Sequence, residues 1–271
     1  MQNLKKIETY LNRPLPDEFI ENTGIPIFAP RKPESDKYDK NFEAVDDYSG
    51  NHAFGYKLLN VGGTESLYRT INSVILSNLH REKEYLFLDL GCGIGRMMYD
   101  LADLFPKSLF IGMDYSYNML TRAHQILLEG SKITIDLTKK GFGKLQLQGK
   151  EPKRNVILIQ GNALDIPFQP GIFDCVTNTF LIDRVDDPQK AIADSVKMLK
   201  PGGLFIFSNP MNFTVQKGWE IFETAEKLKD FINETGIHIS EWFDGLIFRE
   251  LKDSRGNYTD WQTLIVFGTK K

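Results

Sequence analysis

Apolar and polar positions change their rhythm several times along the chain, and each change predicts an element. Over TESLYRTINSVILSNL, Leu67, Ile71, Val74, Ile75 and Leu79 recur at helical spacing behind Thr64, a residue suited to an N-cap, so a helix is expected there. The runs YLFLDL (85–90), SLFIGMD (108–114), VILIQ (156–160), FDCVTNTF (173–180) and GLFIFSN (203–209) are near-continuously apolar. Strands of that kind are buried on both faces, as in a parallel sheet covered by helices. Between them helices are expected over about 95–105, behind Ser116, and from Asp187-Pro188 to Leu199, where Pro at the first helical position and the glycines of LKPGG give start and stop signals.

Two stretches break this alternation. Residues 131–155 alternate apolar and polar over ITIDL and KLQLQ around KKGFG, which predicts a small surface hairpin. The closing residues, HISEWFDGLIFRELKDSRGNYTDWQTLIVFG, predict two long strands joined by a turn near Asp253 to Asn257, necessarily antiparallel. Before Thr64, five prolines at 14, 16, 26, 30 and 33 rule out a long helix beyond the first dozen residues. The stretch YDKNFEAVDDYSGNHAFGYK then gathers Tyr38, Phe42, Tyr48, His52, Phe54 and Tyr56, too aromatic for a disordered tail. Residues 1–60 are therefore expected to form a helical and loop-rich arm packed on a body spanning 61–271.

Composition narrows the function classes. With 271 residues, 41% of them hydrophobic, the chain buries a core without staples. A formal charge of −3 without a basic stripe disfavours nucleic acid as a partner. Two cysteines, Cys92 and Cys175, make neither a disulfide framework nor a metal site, so no metal is expected and a reducing, cytoplasmic setting is the simplest reading. The N-terminus has no apolar signal region and no run approaches a membrane span, which predicts a protein without a membrane partner.

FLDLGCGIGR (87–96) carries the candidate chemistry. A strand, a glycine-rich turn and a helix start form a site where backbone comes close to a ligand. Gly91, Gly93 and Gly95 leave Arg96 where a dinucleotide fingerprint would have its third glycine, and the nucleoside-triphosphate cradle is missing.

These residues resemble the first motif of the class I S-adenosyl-L-methionine (SAM)-dependent methyltransferases: an acid, one apolar residue and three alternating glycines, here Asp89, Leu90 and Gly91 to Gly95. The likeness extends over roughly 64–210. Asp114, in GMDYS, sits where the family's acid accepts hydrogen bonds from the ribose hydroxyls. QGNALDIPF (160–168) resembles the loop beside the adenine, with Asn162-Ala163 where Asp-Ala is usual. FDCVTNTFLIDRVDDP (173–188) resembles the fourth strand and its loop, and LKPGG the turn before the fifth.

The resemblance implies an α/β, Rossmann-like, doubly wound and mostly parallel seven-stranded sheet with an antiparallel C-terminal hairpin. It implies SAM as cofactor and Asp89, Gly91, Cys92, Gly93, Gly95, Asp114, Tyr115, Asn162, Ala163 and Asn178 around it. A carboxylate at 114 suits a neutral diol, and the Asn162 carbonyl oxygen offers the adenine amino group the acceptor an Asp would have offered. The Cys92 side chain reads as a small filler rather than a nucleophile.

For the acceptor, the family often has paired histidines after the fourth strand, where this chain has Asp183-Arg184. Arg184 suits a substrate carboxylate and Asp183 an amine. Tyr48 and His52 of the arm are expected at the acceptor, with the arm as a lid. FLIDR, SNPMNF and WFDGLIFRE locally resemble the methyltransferase domain of ovothiol biosynthesis, which implies a small amino-acid-like acceptor and N-methylation. A methyltransferase acting on a peptide, protein or RNA and a non-catalytic SAM-binding module are the alternatives. The sequence sets no oligomeric state.

Overall fold

A computed structural model describes residues 4–30, 37–52, 63–147 and 150–271. Phe54 and Tyr56 of the aromatic stretch lie outside the described residues. The arm contributes α1 (Lys5–Glu8), the two-residue strands β1 (Phe19–Ile20) and β2 (Ile25–Pro26), α2 (Lys37–Lys40) and α3 (Phe42–His52). The helix α4 (Gly63–Asn78) follows.

The body then runs β3 (Leu86–Leu90), α5 (Arg96–Leu101), β4 (Leu109–Asp114) and α6 (Tyr117–His124). After a hairpin of β5 (Ile133–Leu137) and β6 (Gly143–Leu147), it continues with β7 (Val156–Gln160), β8 (Phe173–Thr179), α7 (Pro188–Met198) and β9 (Leu199–Asn209). The last elements are α8 (Gln216–Ile221), α9 (Ala225–Glu234), β10 (Ile237–Leu251) and β11 (Tyr258–Lys270).

Seven strands form one sheet in the order β10-β11-β9-β8-β3-β4-β7. β11 runs antiparallel to both β9 and β10, and the other pairs are parallel. All five positions of β3 and of β7 are buried, as the apolar runs require of strands covered on both faces. The chain leaves β3 toward β4 and β7 on one side and returns through β8 and β9 on the other, so the switch point of this α/β sheet lies at the carboxyl end of β3. FLDLGCGIGR occupies it.

Local signals explain the helix starts. The Ser116 hydroxyl accepts from the Met119 N–H, and the Asp187 side chain accepts from the Lys190 N–H with Pro188 at the first helical position. Such caps stabilise a helix by about 1 kcal/mol each. Regular α5 ends at Leu101, short of the expected 105. β9 starts with the first residue of LKPGG, Leu199, rather than after it, with a register shift between Phe173 and Cys175 and with Gly202 at φ +76°.

The insertion is a hairpin, as its alternation predicts, but it is not a bare surface feature. Ile133, Ile135, Leu137 and Leu147 are buried, and β5 packs against α3 of the arm.

Candidate functional site

Where β3 ends, the Gly91 and Cys92 N–H groups both donate to the Met113 carbonyl at 2.8 and 3.1 Å, folding the loop back over β4. Gly91, Gly93 and Gly95 have φ of +70°, +54° and +79°, a left-handed run that residues with a Cβ rarely adopt. The turn brings the Gly93 N–H to 2.8 Å from Asp114 Oδ2, while the Ser116 N–H donates to Oδ1 at 2.9 Å. Two backbone donors therefore orient one carboxylate at the carboxyl end of β4. Added Cβ atoms would meet Leu181 at 3.1 Å from Gly91 and the Tyr48 hydroxyl at 3.2 Å from Gly93.

This loop forms one wall of a cavity of about 610 Å³. Gly161, Asn162, Ala163 and Leu164, just after β7, form a second wall, and Tyr115 lines the space between. Asn162 Oδ1 accepts from the Leu164 N–H at 2.9 Å, so its carbonyl oxygen already serves its own turn. The Tyr115 hydroxyl donates to the Pro30 carbonyl at 3.0 Å, tying the arm to this end of the sheet.

The remaining wall of the cavity is aromatic and charged, and it meets the glycine loop at the Tyr48 hydroxyl. Tyr48 and His52, one turn apart on α3, project together; their rings stack at 3.8 Å and 1°. Phe180 and Phe248 close on the imidazole at 5.8 and 4.9 Å between ring centres, and Trp261 completes the wall. Phe248, Glu250 and Lys252 alternate along β10 and just beyond it, placing all three on the cavity. Glu250 accepts from Lys252 Nζ at 2.8 Å and from the Trp261 indole N–H at 3.1 Å. Lys37, Arg184 and Asp186 add further charge to the lining.

Burial pushes the His52 imidazole down to about 3, with the Glu250 charge opposing the shift and Lys37 and Arg96 adding to it. The ring is neutral at physiological pH, and its buried Nδ1 has no hydrogen-bond partner among the described residues. Burial also pushes the Tyr48 phenol well up. Glu250 shows the reverse balance: burial raises its pKa, but the bonds from Lys252 and Trp261 outweigh that and hold it below the usual range.

Of the residues singled out in the sequence, Tyr48, His52, Gly91, Gly93, Asp114, Tyr115, Asn162, Ala163 and Arg184 line this one cavity. Five others do not reach it. Asp89 is buried beneath the loop, where its carboxyl accepts from the Thr177 hydroxyl at 2.7 Å and burial lifts its pKa to about 7. The Cys92 sulfur points into the core beside Gly112, and burial raises its thiol pKa far above the ordinary value. Gly95 begins α5 and packs against Leu127. Asn178 donates to the Ser195 hydroxyl on α7, on the far side of β8. Asp183 turns inward, fully buried, to accept from the Asn209 amide at 2.9 Å, so it is Arg184 alone of that pair that faces the cavity.

Phe180, Phe248, Glu250, Lys252 and Trp261 are among the lining residues that sequence reasoning missed. The alternation of Phe248, Glu250 and Lys252 was a usable signal, since positions two apart on a strand share a face.

Residues 88–207 match the family model described as a methyltransferase domain. The chain is 33% identical over 117 residues to a demethylmenaquinone methyltransferase of Lactococcus lactis, a match covering 43% of this chain and 38% of that protein. It is 27% identical over 206 residues to the ubiquinone/menaquinone biosynthesis C-methyltransferase UbiE of Vibrio cholerae, covering 73% and 72%. The chain thus spans well under two thirds of the Lactococcus relative but most of the Vibrio one. A solved structure from Thermotoga maritima, described as a SAM-dependent methyltransferase and "possible histamine N-methyltransferase", shares the fold at a TM-score of 0.51 with 18% identity, covering 86% of this chain and 98% of that one.

The cavity fits the cofactor these likenesses imply. Bare glycine backbone borders space that a Cβ would enter, and a carboxylate oriented by two N–H groups stands beside it. Residues 88–207 carry a methyltransferase domain on a fold shared with SAM-dependent methyltransferases, which implies S-adenosyl-L-methionine as the cofactor.

Proposed function

We propose that the protein transfers a methyl group to a nitrogen of a small, polar, ring-bearing acceptor of amino-acid-like chemistry. The observation that carries this reading is a single cavity lined both by Gly93 and Asp114 and by an aromatic stack bordered by Arg184 and Glu250. Bound beside Gly93 and Asp114, SAM supplies a methyl group already activated by its positive sulfur. Asp114 and the glycine backbone hold the cofactor, Asp114 toward the ribose diol. Tyr48, His52, Phe180 and Phe248 clasp a planar acceptor and exclude water, which favours alignment of the two reactants. Arg184 suits a carboxylate on that acceptor, and Glu250 a cationic or N–H group.

The protonation states support nitrogen over carbon or phenol oxygen. His52, held neutral down to about pH 3, and Glu250, held ionised, are both weak bases, and Tyr48 keeps its proton. An imidazole or neutral amine brings its own lone pair and needs no strong base to become a nucleophile. The charges of Lys37, Arg184, Asp186, Glu250 and Lys252 also suit a polar acceptor better than a long apolar one. The second reading, C-methylation of a quinol, draws support from the names of the Lactococcus and Vibrio relatives.

The test is a panel of L-histidine, its thiol derivative, aromatic amino acids and a water-soluble quinol, each incubated with the protein and methyl-labelled SAM and read by mass spectrometry. A labelled methyl on a ring or amino nitrogen is the expected result. Label on quinol carbon would move the assignment to the second reading, and no transfer to any member would overturn the proposal.

A further inference from the structure

The insertion hairpin and the arm meet at one buried ion pair. Asp46, in the middle of α3, accepts from the Arg122 guanidinium of α6 through Oδ1 and from the Asp136 N–H of β5 through Oδ2, the latter at 3.1 Å. Arg122 also donates to the Thr134 carbonyl at 3.3 Å, so it ties together α3, α6 and β5. One turn further along α3, Gly50 lets Leu137 of β5 close in; a Cβ at Gly50 would lie 2.9 Å from the Leu137 side chain. The partly exposed pairs Lys139–Glu43 and Lys140–Asp47 border the same seam.

The other flank of α3 is clamped as well. Asn51 donates to the Leu251 carbonyl at 3.3 Å and accepts its N–H at 3.0 Å, and Arg96 donates to the His52 carbonyl at 3.0 Å. Tyr48 and His52 stand between these two anchorages.

We infer that Asp46 is a positioning residue, and that the β5–β6 insertion serves to hold α3 so that Tyr48 and His52 stay over the glycine loop. A charge buried against Arg122 and an N–H at once gives α3 a single seat, because removing either partner leaves the other uncompensated in the interior. The hairpin then braces α3 from behind, without itself lining the cavity. The inference rests on reading the aromatic end as the acceptor site, but the seat of α3 is measurable without any acceptor.

The test uses the full chain with Asp46→Ala and Asp46→Asn, S-adenosylhomocysteine as the cofactor probe, amide hydrogen exchange and imidazole titration by NMR. In the wild type the His52 ring stays neutral to about pH 3. Asp46→Ala is expected to move that midpoint up toward about 6.5 as the ring reaches water, and to speed exchange of α3 amides by at least about tenfold while β3 and β4 stay protected. Asp46→Asn keeps an oxygen for Arg122 or Asp136 and should recover most of both readouts. Leu137→Ala, which buries no orphaned charge, should shift them in the same direction by less. An unchanged His52 midpoint in Asp46→Ala and Leu137→Ala would overturn the inference, as would loss of protection across the whole sheet in step with α3. Nitrogen methylation failing in the acceptor panel would leave these readouts untouched, so the two failures are distinguishable.

Discussion

The two ends of the cavity are built from different kinds of sequence. At the cofactor end, Leu86 to Asp114 is one strand-turn-helix-strand unit, and the key contact, Gly93 N–H to Asp114 Oδ2, joins residues only 21 apart. The acceptor end draws Tyr48 and His52 from the arm, Phe180 and Arg184 from the region after β8, and Phe248, Glu250 and Trp261 from the C-terminal hairpin. Backbone geometry and one carboxylate suffice where the ligand is fixed. Where the ligand is particular to the protein, scattered side chains on peripheral elements do the selecting, which fits the general rule that function resides in sites set upon a shared fold.

The sharpest way to break this comparison is to block the glycine loop, where the cofactor end meets Tyr48. Gly93→Val puts a β-branched side chain at φ +54° and into the Tyr48 hydroxyl. Strain of about 1–3 kcal/mol plus the steric block should weaken SAM binding by at least about 100-fold. Calorimetry reads the loss, and circular dichroism should show the sheet retained.

A smaller effect sharpens the other end. His52 has a folded-state pKa of about 3 against 6.5 in its ordinary state. The unfolded chain therefore binds a proton below 6.5 that the folded chain refuses, and stability is lost as pH falls from 6.5 toward 3, by about 2 kcal/mol at pH 5. Asp89 works in the opposite sense: its pKa is lifted to about 7, so its contribution grows as pH falls through 7. The difference between wild type and His52→Phe, which keeps a stacked ring and Asp89 alike, isolates the histidine. Denaturant unfolding should show the wild type losing that amount relative to the variant between pH 7 and 5; parallel profiles would mean His52 meets water.

The same contrast explains what the sequence made legible. Continuous apolar runs marked the buried strands, Ser116 and Asp187 marked helix starts, and the alternation over 131–155 marked a hairpin. The glycines and Asp114 were readable because their spacing is itself the geometry. Asp89 and Cys92 share that motif, yet their side chains turn into the core, because a motif records chain positions and not the direction each side chain takes. Asp183 and Arg184 differ for the same reason: the buried Asp183 accepts from Asn209 in the core, while Arg184, paired with the Asp183 carboxylate at 3.2 Å, lines the cavity. Glu250 and Trp261 were missed because only the pairing of β10 with β11, and of β11 with β9, carries them across the sheet to His52. The role of the insertion was hidden likewise, since Asp46, Arg122 and Asp136 are 76 and 90 residues apart in the chain.

The division into two ends is tested most directly by titrating S-adenosylhomocysteine into Asp114→Ala and Phe248→Ala by calorimetry. Loss of charge-assisted hydrogen bonds to the ribose should weaken Asp114→Ala by about 1.5–3 kcal/mol, whereas Phe248→Ala, in the aromatic wall, should change affinity by less than about 0.5 kcal/mol. Equal losses in the two variants, or an Asp114→Ala protein that binds as tightly as the wild type, would contradict the assignment of cofactor and acceptor to different walls of the cavity.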